Sequence, residues 1–237
     1  MRAVVAALLL ASLSSGCLGG LFGGGGISPH DYLRDTKYDN WVIEVDAVAG
    51  QAPSQATLGF LEGRIGPHVD KPGGIDFVTG GTIEGGGSPW TKEEVLDLTD
   101  ARQDRGTGDG TVVTHLLFLD GEYERADVLG VTIGYGTIAI FRDTVESACT
   151  VLTVCFNAQE DILRAVLVHE FGHALGLVNR GIPMVTDHED PESPGHSDNS
   201  NSVMWHAIES AGSIGSLNTI PNQFDADDTA DMREARS

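Results

Sequence analysis

Basic residues are scarce in this chain of 237 residues. It has 14 lysines and arginines, only three of them lysines, against 35 aspartates and glutamates, so its formal net charge is −21. A surface this acidic repels phosphate groups, which excludes nucleic acid and anionic lipid headgroups as partners of the folded part. Acidic, lysine-poor composition is typical of halophilic proteins, in which salt screens the repulsion between carboxylates. The alternative is an ordinary solvated acidic surface.

A hydrophobic run long enough to span a bilayer is also missing. The longest run, from Ala3 to Ala11, is too short for a stable transmembrane helix. It follows Met1 and Arg2 and precedes small residues, a pattern typical of a secretory signal peptide. The sequence therefore predicts export out of the cytoplasm.

The end of this signal resembles a lipoprotein signal, because Leu-Ser-Ser-Gly precedes Cys17. In such signals the chain is cut before the cysteine, which then carries lipid. A glycine-rich stretch follows and is typical of a flexible tether. We predict a signal peptide over residues 1–16, lipidation of Cys17, and a lipid-anchored tether over residues 17–36, so that the lipid is the only membrane contact. The alternative is an ordinary cleaved signal with an incidental cysteine.

Cysteine is rare, with three in the chain. If Cys17 carries lipid, Cys149 and Cys155 remain as a pair, and outside the cytoplasm such a pair favours a disulfide. Two small buried residues are the alternative, and the spacing alone does not decide between them.

The rest of the chain alternates strand-like and helix-like segments, which predicts a single α/β (α+β) domain over residues 37–221. Expected strands lie at 41–48, 111–119, 128–133 and 137–141, and expected helices at 54–63, 91–105 and 158–176. A polar loop rich in proline, glycine and acidic residues follows from about residue 179. Residues 222–237 read as an acidic tail without chemistry.

The third expected helix carries the motif with chemical meaning: residues 169–173 read His-Glu-Phe-Gly-His. In a helix His169 and His173 share one face, so both imidazoles can bind one tetrahedral Zn²⁺. Glu170 then projects beside the metal, where it can take a proton from water and pass it to a leaving amine. The surrounding positions are apolar, and burying these three groups is costly unless a ligand satisfies them. The alternative is a pair of hydrogen-bonded buried histidines without metal.

The motif continues to Gly176, and His-Glu-x-x-His-x-x-Gly is similar to the start of the metzincin signature. In metzincins a histidine three residues after the glycine is the usual third zinc ligand. Here that position is Asn179, whose neutral amide is a poor zinc ligand. The strict metzincin signature therefore fails at this position.

A later segment, residues 196–204, resembles the archaemetzincins, in which the third histidine opens a stretch His-Cys-x-Asn-x-x-Cys-x-Met. His196, Asn199 and Met204 match, whereas Ser197 and Ser202 stand at the cysteine positions. The resemblance implies that His196 is the third zinc ligand and that Met204 forms the Met-turn beneath the metal. It also implies that residues 179–195 are an inserted loop. The archaemetzincins bind a second, structural zinc through these cysteines. Because both are replaced by serine here, we expect one Zn²⁺ per chain.

The same resemblance implies a metzincin-like fold, with a twisted mixed sheet and a buried active-site helix. It implies a zinc metallopeptidase that acts on a peptide or protein substrate with Glu170 as general base. An edge strand within residues 128–141 would pair with the extended substrate.

Several alternatives stay open from the residues themselves. His188, in a charged part of the inserted loop, could be the third ligand or bind a hydrated cation with its neighbours, and an acidic residue such as Glu209 could replace histidine. The chain could also be a non-catalytic surface module with structural zinc, or a metal-dependent amidohydrolase acting on a non-peptide substrate.

Overall fold

A computed structural model describes most of the chain. The described residues are 26–86, 89–148, 158–217 and 219–237. The predicted signal peptide, the lipidation of Cys17 and the pairing of Cys149 with Cys155 lie outside them, and they stay predictions.

A five-stranded mixed sheet forms the centre of the fold. Its strands are β1 (Asn40–Val48), β2 (Gly74–Ile83), β3 (Thr111–Leu119), β4 (Gly130–Ile133) and β5 (Thr137–Phe141). The spatial order is β2-β1-β3-β5-β4, and all neighbours run parallel except β4, which is antiparallel to β5. β1 and β3 read as nearly continuous apolar runs because both of their faces are covered. The predicted mixed α/β fold class is confirmed.

Helices cover both faces of this sheet. They are α1 (Pro29–Leu33), α2 (Gln55–Ile65), α3 (Lys92–Arg102), α4 (Arg142–Ala148), α5 (Ala158–Ala174), α6 (Ala211–Ile214) and α7 (Ala226–Arg236). α5 packs between α2, α4 and the strands β4 and β5, while α3 covers the opposite face. Among the described residues, none of the helices combines the length and the apolar character that crossing a membrane requires.

α5 belongs to the larger hydrophobic core. Val166, Leu167 and Phe171 are fully buried, so the helix has apolar contacts on most of its circumference. It ends at Ala174, and Gly176 follows with φ of +81°, a left-handed conformation that favours glycine and turns the chain away. The buried helix expected over about residues 158–176 is therefore present.

Both ends of the expected domain extend further than predicted. Part of the expected tether forms α1, in which Tyr32 and Leu33 are fully buried and the Tyr32 hydroxyl donates to the Tyr135 carbonyl at 2.6 Å. The expected tail forms α7, in which Met232 is fully buried. Residues 29–33 and 226–236 are thus parts of the folded unit.

Candidate metal centre

Four side chains from three parts of the chain meet at one point: His169, His173, His196 and Glu209. One potential ligand atom from each lies within 4.8 Å of the others. His169 and His173 are one helical turn apart on α5, with their Nε2 atoms 3.0 Å apart. The His196 ring lies 5.3 Å from the His169 ring and 5.1 Å from the His173 ring, centroid to centroid. The structure thus brings the three predicted zinc ligands together.

A backbone contact fixes which nitrogen of His169 faces this point. Its Nδ1 lies 2.7 Å from the Val203 carbonyl, which can only accept, so Nδ1 carries the proton and donates. The lone pair of Nε2 is therefore unprotonated and points toward His173 Nε2, 3.0 Å away. Such a contact from the second ring nitrogen is the usual way to orient a metal-binding histidine.

The two histidines of α5 are placed so that both can bind one cation. Burial lowers the pKa of His169 to about 4 and that of His173 well below its usual range, so both rings are neutral. Two ligand nitrogens on one tetrahedral cation, with bonds of about 2.0–2.1 Å, lie roughly 3.3 Å apart. The observed 3.0 Å is close to that separation. The residues therefore fit a divalent cation.

Glu209 adds a carboxylate to the three imidazoles, from the turn that follows the 3₁₀ helix His206–Ile208. Its Oε1 lies 3.3 Å from His196 Nε2 and 3.9 Å from His173 Nε2. Burial alone would raise the Glu209 pKa, but the contact with His196 outweighs burial and, with a contribution from Arg125, lowers the pKa to about 2. Glu209 therefore supplies a negative charge next to the cluster.

Glu170 lies on the cleft side of the cluster and keeps one oxygen free. Thr132 Oγ1 of β4 lies 2.7 Å from Glu170 Oε2, whereas Oε1 is buried and finds no hydrogen-bond partner in the part of the chain that the structure describes. A Cβ at Gly130 would lie 3.0 Å from Glu170 Oε1, so glycine leaves room for the carboxylate. Sequence reasoning missed Thr132, because a threonine in a strand is too common to signal a role.

Met204 lies directly beneath the two histidines of α5. A Cβ at Gly172 would lie 2.3 Å from Met204 Sδ, so the thioether rests against the helix at the one position between the histidines without a side chain. The Met204 amide donates to Ser202 Oγ at 2.9 Å, and this holds the turn. The role of Met204 as the Met-turn, which the archaemetzincin resemblance implied, stays a prediction.

His188, the alternative third ligand, and Asn179, the position of the usual metzincin ligand, both lie outside the cluster. His188 Nε2 lies 3.0 Å from Asp231 Oδ2 of α7, and His188 is not part of the four-residue cluster. Asn179 is exposed, with a left-handed φ of 61°, in the turn after α5. Residues 179–195 contain neither a helix nor a strand, as expected for an inserted loop.

The cluster opens into a cleft of 1140 Å³. Glu170, His173, His196 and Glu209 line it, together with residues 131–134 of β4 and the following turn. β4 is an edge strand, paired with β5 on one side only. The expected edge strand within residues 128–141 therefore lies beside the candidate centre.

Glu170 makes the stability of the metal-free protein depend on pH, and replacing it with glutamine would remove this dependence. Burial, with a smaller contribution from Glu209, raises its pKa from 4.5 to about 8. Between these values the unfolded chain releases a proton that the folded chain keeps, so rising pH costs the wild type a few kcal/mol. In urea unfolding with chelator, we expect metal-free Glu170→Gln to gain stability over the wild type from pH 4.5 to 8. A difference in unfolding free energy between Glu170→Gln and the wild type that stays constant from pH 4.5 to 8 would contradict this.

Comparisons with known proteins give matches in structure alone. No protein-family model and no curated protein matches the chain. Archaemetzincin from Methanopyrus kandleri superposes with a TM-score of 0.54 at 14% identity, over 83% of this chain and 96% of its own. A zinc-dependent peptidase from Methanocorpusculum labreanum superposes with a TM-score of 0.55 at 15% identity, over 80% of this chain and 99% of its own. At such identities the likeness shows the fold, and the metzincin-like fold expected from the resemblance is confirmed.

Proposed function

We propose that this protein is a zinc-dependent metallopeptidase, with His169, His173 and His196 as zinc ligands and Glu170 as general base. One observation carries the proposal: Glu170, which has one carboxylate oxygen without a hydrogen-bond partner among the described residues, lines the cleft into which the cluster of three histidines opens. A purely structural metal site has no use for such a carboxylate. The two structural neighbours, an archaemetzincin and a zinc-dependent peptidase, support the assignment.

Glu170 moves the proton in this reaction. When bound, Zn²⁺ supplies a Lewis acid that polarises the peptide carbonyl and makes water more acidic. Glu170 Oε1, which has no hydrogen-bond partner among the described residues, accepts a proton from the attacking water and then gives it to the leaving amine. Thr132 Oγ1, at 2.7 Å from Oε2, fixes the orientation of the carboxylate through the other oxygen.

The edge of β4 binds the substrate. Its unpaired side runs along the cleft, and an extended peptide can add to it as a further strand. Main-chain hydrogen bonds then hold the peptide independently of its sequence, while side-chain selection falls to the rest of the cleft. We infer that the substrate is a peptide or an unfolded segment of a protein.

The proposed location is the outer face of the cell membrane. This rests on the signal-like residues 1–16 and on Cys17, which lie outside the described part of the chain. The net charge of −21 is in keeping with a protein that works in salt. Activity is therefore best assayed at high salt concentration.

A non-catalytic protein with a structural zinc is the second candidate. Glu209 favours it, because its Oε1 lies within reach of the cation that the histidines would bind. Four protein ligands would close the site, whereas catalytic zinc keeps one position open. The unpartnered Oε1 of Glu170 favours the catalytic alternative.

Removal and return of zinc tests the proposed function. We expect the purified protein to cleave a quenched fluorescent peptide mixture in high salt, to lose this activity with a chelator, and to regain it when zinc is added back. Mock-treated protein that never meets the chelator is the control. Cleavage that survives complete zinc removal would contradict the proposal.

A further inference from the structure

A second group of potential metal ligands lies where the inserted loop meets α7. His188, Asp225 and Asp228 each place a ligand atom within 4.8 Å of the others. None of them belongs to the cluster beneath the cleft. His188 is 4% exposed and Asp228 is fully buried, so the group is largely shielded from water.

Asp231 orients the His188 ring. Asp231 Oδ1 accepts the Val185 amide at 2.6 Å, and its Oδ2 lies 3.0 Å from His188 Nε2. The carboxylate can only accept, so Nε2 carries the proton and the lone pair of Nδ1 points away from Asp231. A carboxylate behind a histidine is the usual arrangement at a metal-binding imidazole. His188 Nδ1 itself is buried, and none of the described residues gives it a hydrogen bond.

Asp228 turns its free oxygen toward this nitrogen. Its Oδ2 accepts the Ser202 hydroxyl at 2.5 Å and the Asp225 amide at 3.1 Å, whereas Oδ1 is buried without a partner. The separation of Oδ1 from His188 Nδ1 is 4.0 Å, too long for a hydrogen bond. Two ligand atoms on one tetrahedral zinc ion, at about 2.0–2.2 Å each, lie roughly 3.3–3.6 Å apart. The two atoms are therefore close enough to share a cation after a shift of about half an ångström.

Asp225 completes the group from the start of α7. Its Oδ1 caps the helix by accepting the amides of Asp227 and Asp228, and its Oδ2 accepts from Asn199 Nδ2 at 2.7 Å. Three aspartates thus surround a single imidazole. Carboxylates held away from water are costly without a balancing positive charge, which a divalent cation supplies.

In place of the single metal ion expected from the sequence, we propose that His188 Nδ1, Asp228 Oδ1 and Asp225 bind a second divalent cation of the zinc or manganese(II) type. One imidazole with two carboxylates is a donor set that suits these metals. The cation joins the inserted loop to α7. Through Ser202, whose hydroxyl donates to Asp228 and whose oxygen accepts the Met204 amide, it also steadies the turn beneath the catalytic centre.

Equilibrium dialysis of the purified protein against zinc, and separately against manganese(II), tests this site. Asp225→Asn is the test variant, because asparagine still caps a helix but lowers the ligand charge. Asp227→Asn is the matched control, since it removes the same charge from the same helical turn outside the cluster. We expect Asp225→Asn to bind about one metal ion per chain fewer than Asp227→Asn, and bound metal to raise the melting temperature of the control more.

The comparison is independent of the proposed function. If the catalytic centre bound no metal, both variants would lose that ion and the difference between them would persist. Equal metal binding by Asp225→Asn and Asp227→Asn, for zinc and for manganese(II), would overturn the second site.

Discussion

Replacing Glu170 with glutamine is expected to lower kcat for peptide hydrolysis by about 10²–10⁴-fold, the usual contribution of a general base. Glutamine has nearly the same shape and can keep the contact with Thr132, but it cannot accept a proton. The carboxylate is a neighbour of the histidines and not a member of their cluster. Zinc content is therefore expected to stay unchanged, as measured by atomic absorption on the dialysed variant.

Glu160→Gln is the matched control for this experiment. Glu160 lies on the same helix, far from the cleft, and its replacement is expected to leave kcat and zinc content as in the wild type. If Glu170→Gln kept wild-type activity with its zinc in place, Glu170 would not be the base. If Glu170→Gln lost the zinc, its lower activity would say nothing about proton transfer. Glu170→Asp, which keeps the carboxylate, would then be measured: partial activity would support Glu170 as the base, and no activity with zinc bound would count against it.

Replacing His196 with alanine is expected to weaken zinc binding by more than about 100-fold and to lower activity in parallel. Changes behind a ligand typically cost 10–100-fold in affinity, and loss of a ligand costs more. His196 comes from the segment after the inserted loop, so its removal leaves the α5 histidines in place. Competition with a chromogenic chelator measures the zinc affinity.

His68→Ala is the control for this variant. His68 lies in the 3₁₀ helix Gly66–His68, outside the cleft, and contacts the Phe224 ring. We expect it to keep wild-type zinc affinity and activity. Tight zinc binding by His196→Ala would mean that another group, with Glu209 the nearest, completes the centre.

Sequence alone predicted the elements whose ends carry local signals. The expected strand 111–119 coincides with β3, because Asp120 and Gly121 form a turn directly after it. The start of α3 follows from the capping box of Thr91 and Glu94, which the structure contains. Spacing within one helix likewise predicted that His169 and His173 share a face.

Local signals could not predict which groups from distant parts of the chain meet in the tertiary fold. The sequence offered His196, His188 and Glu209 as alternatives for the third ligand, because no spacing rule relates a residue beyond a long loop to a helix. In the structure His196 and Glu209 lie beside the α5 histidines, whereas His188 contacts Asp231 of α7. The partner of His188, Asp231, lay in a segment expected to be a tail.

The misplaced ends of the domain have different causes. α1 carried a readable signal, since Ser28, Pro29 and Asp31 form a helix start with a capping box. α7 carried a similar start signal in the capping box of Asp225 and Asp228, but no apolar stripe supported it, because its inward face includes the buried Asp228 and Asp231. A helix that buries acids against a polar cluster has no apolar stripe to detect.

Crystallographic anomalous diffraction at the zinc absorption edge tests the central claim most directly. The account predicts a zinc peak bonded at about 2.0–2.1 Å to the Nε2 atoms of His169, His173 and His196, with an open position facing Glu170 and the cleft. Zinc closed by Glu209 as a fourth protein ligand, or no zinc between these histidines in protein purified with zinc, would contradict it.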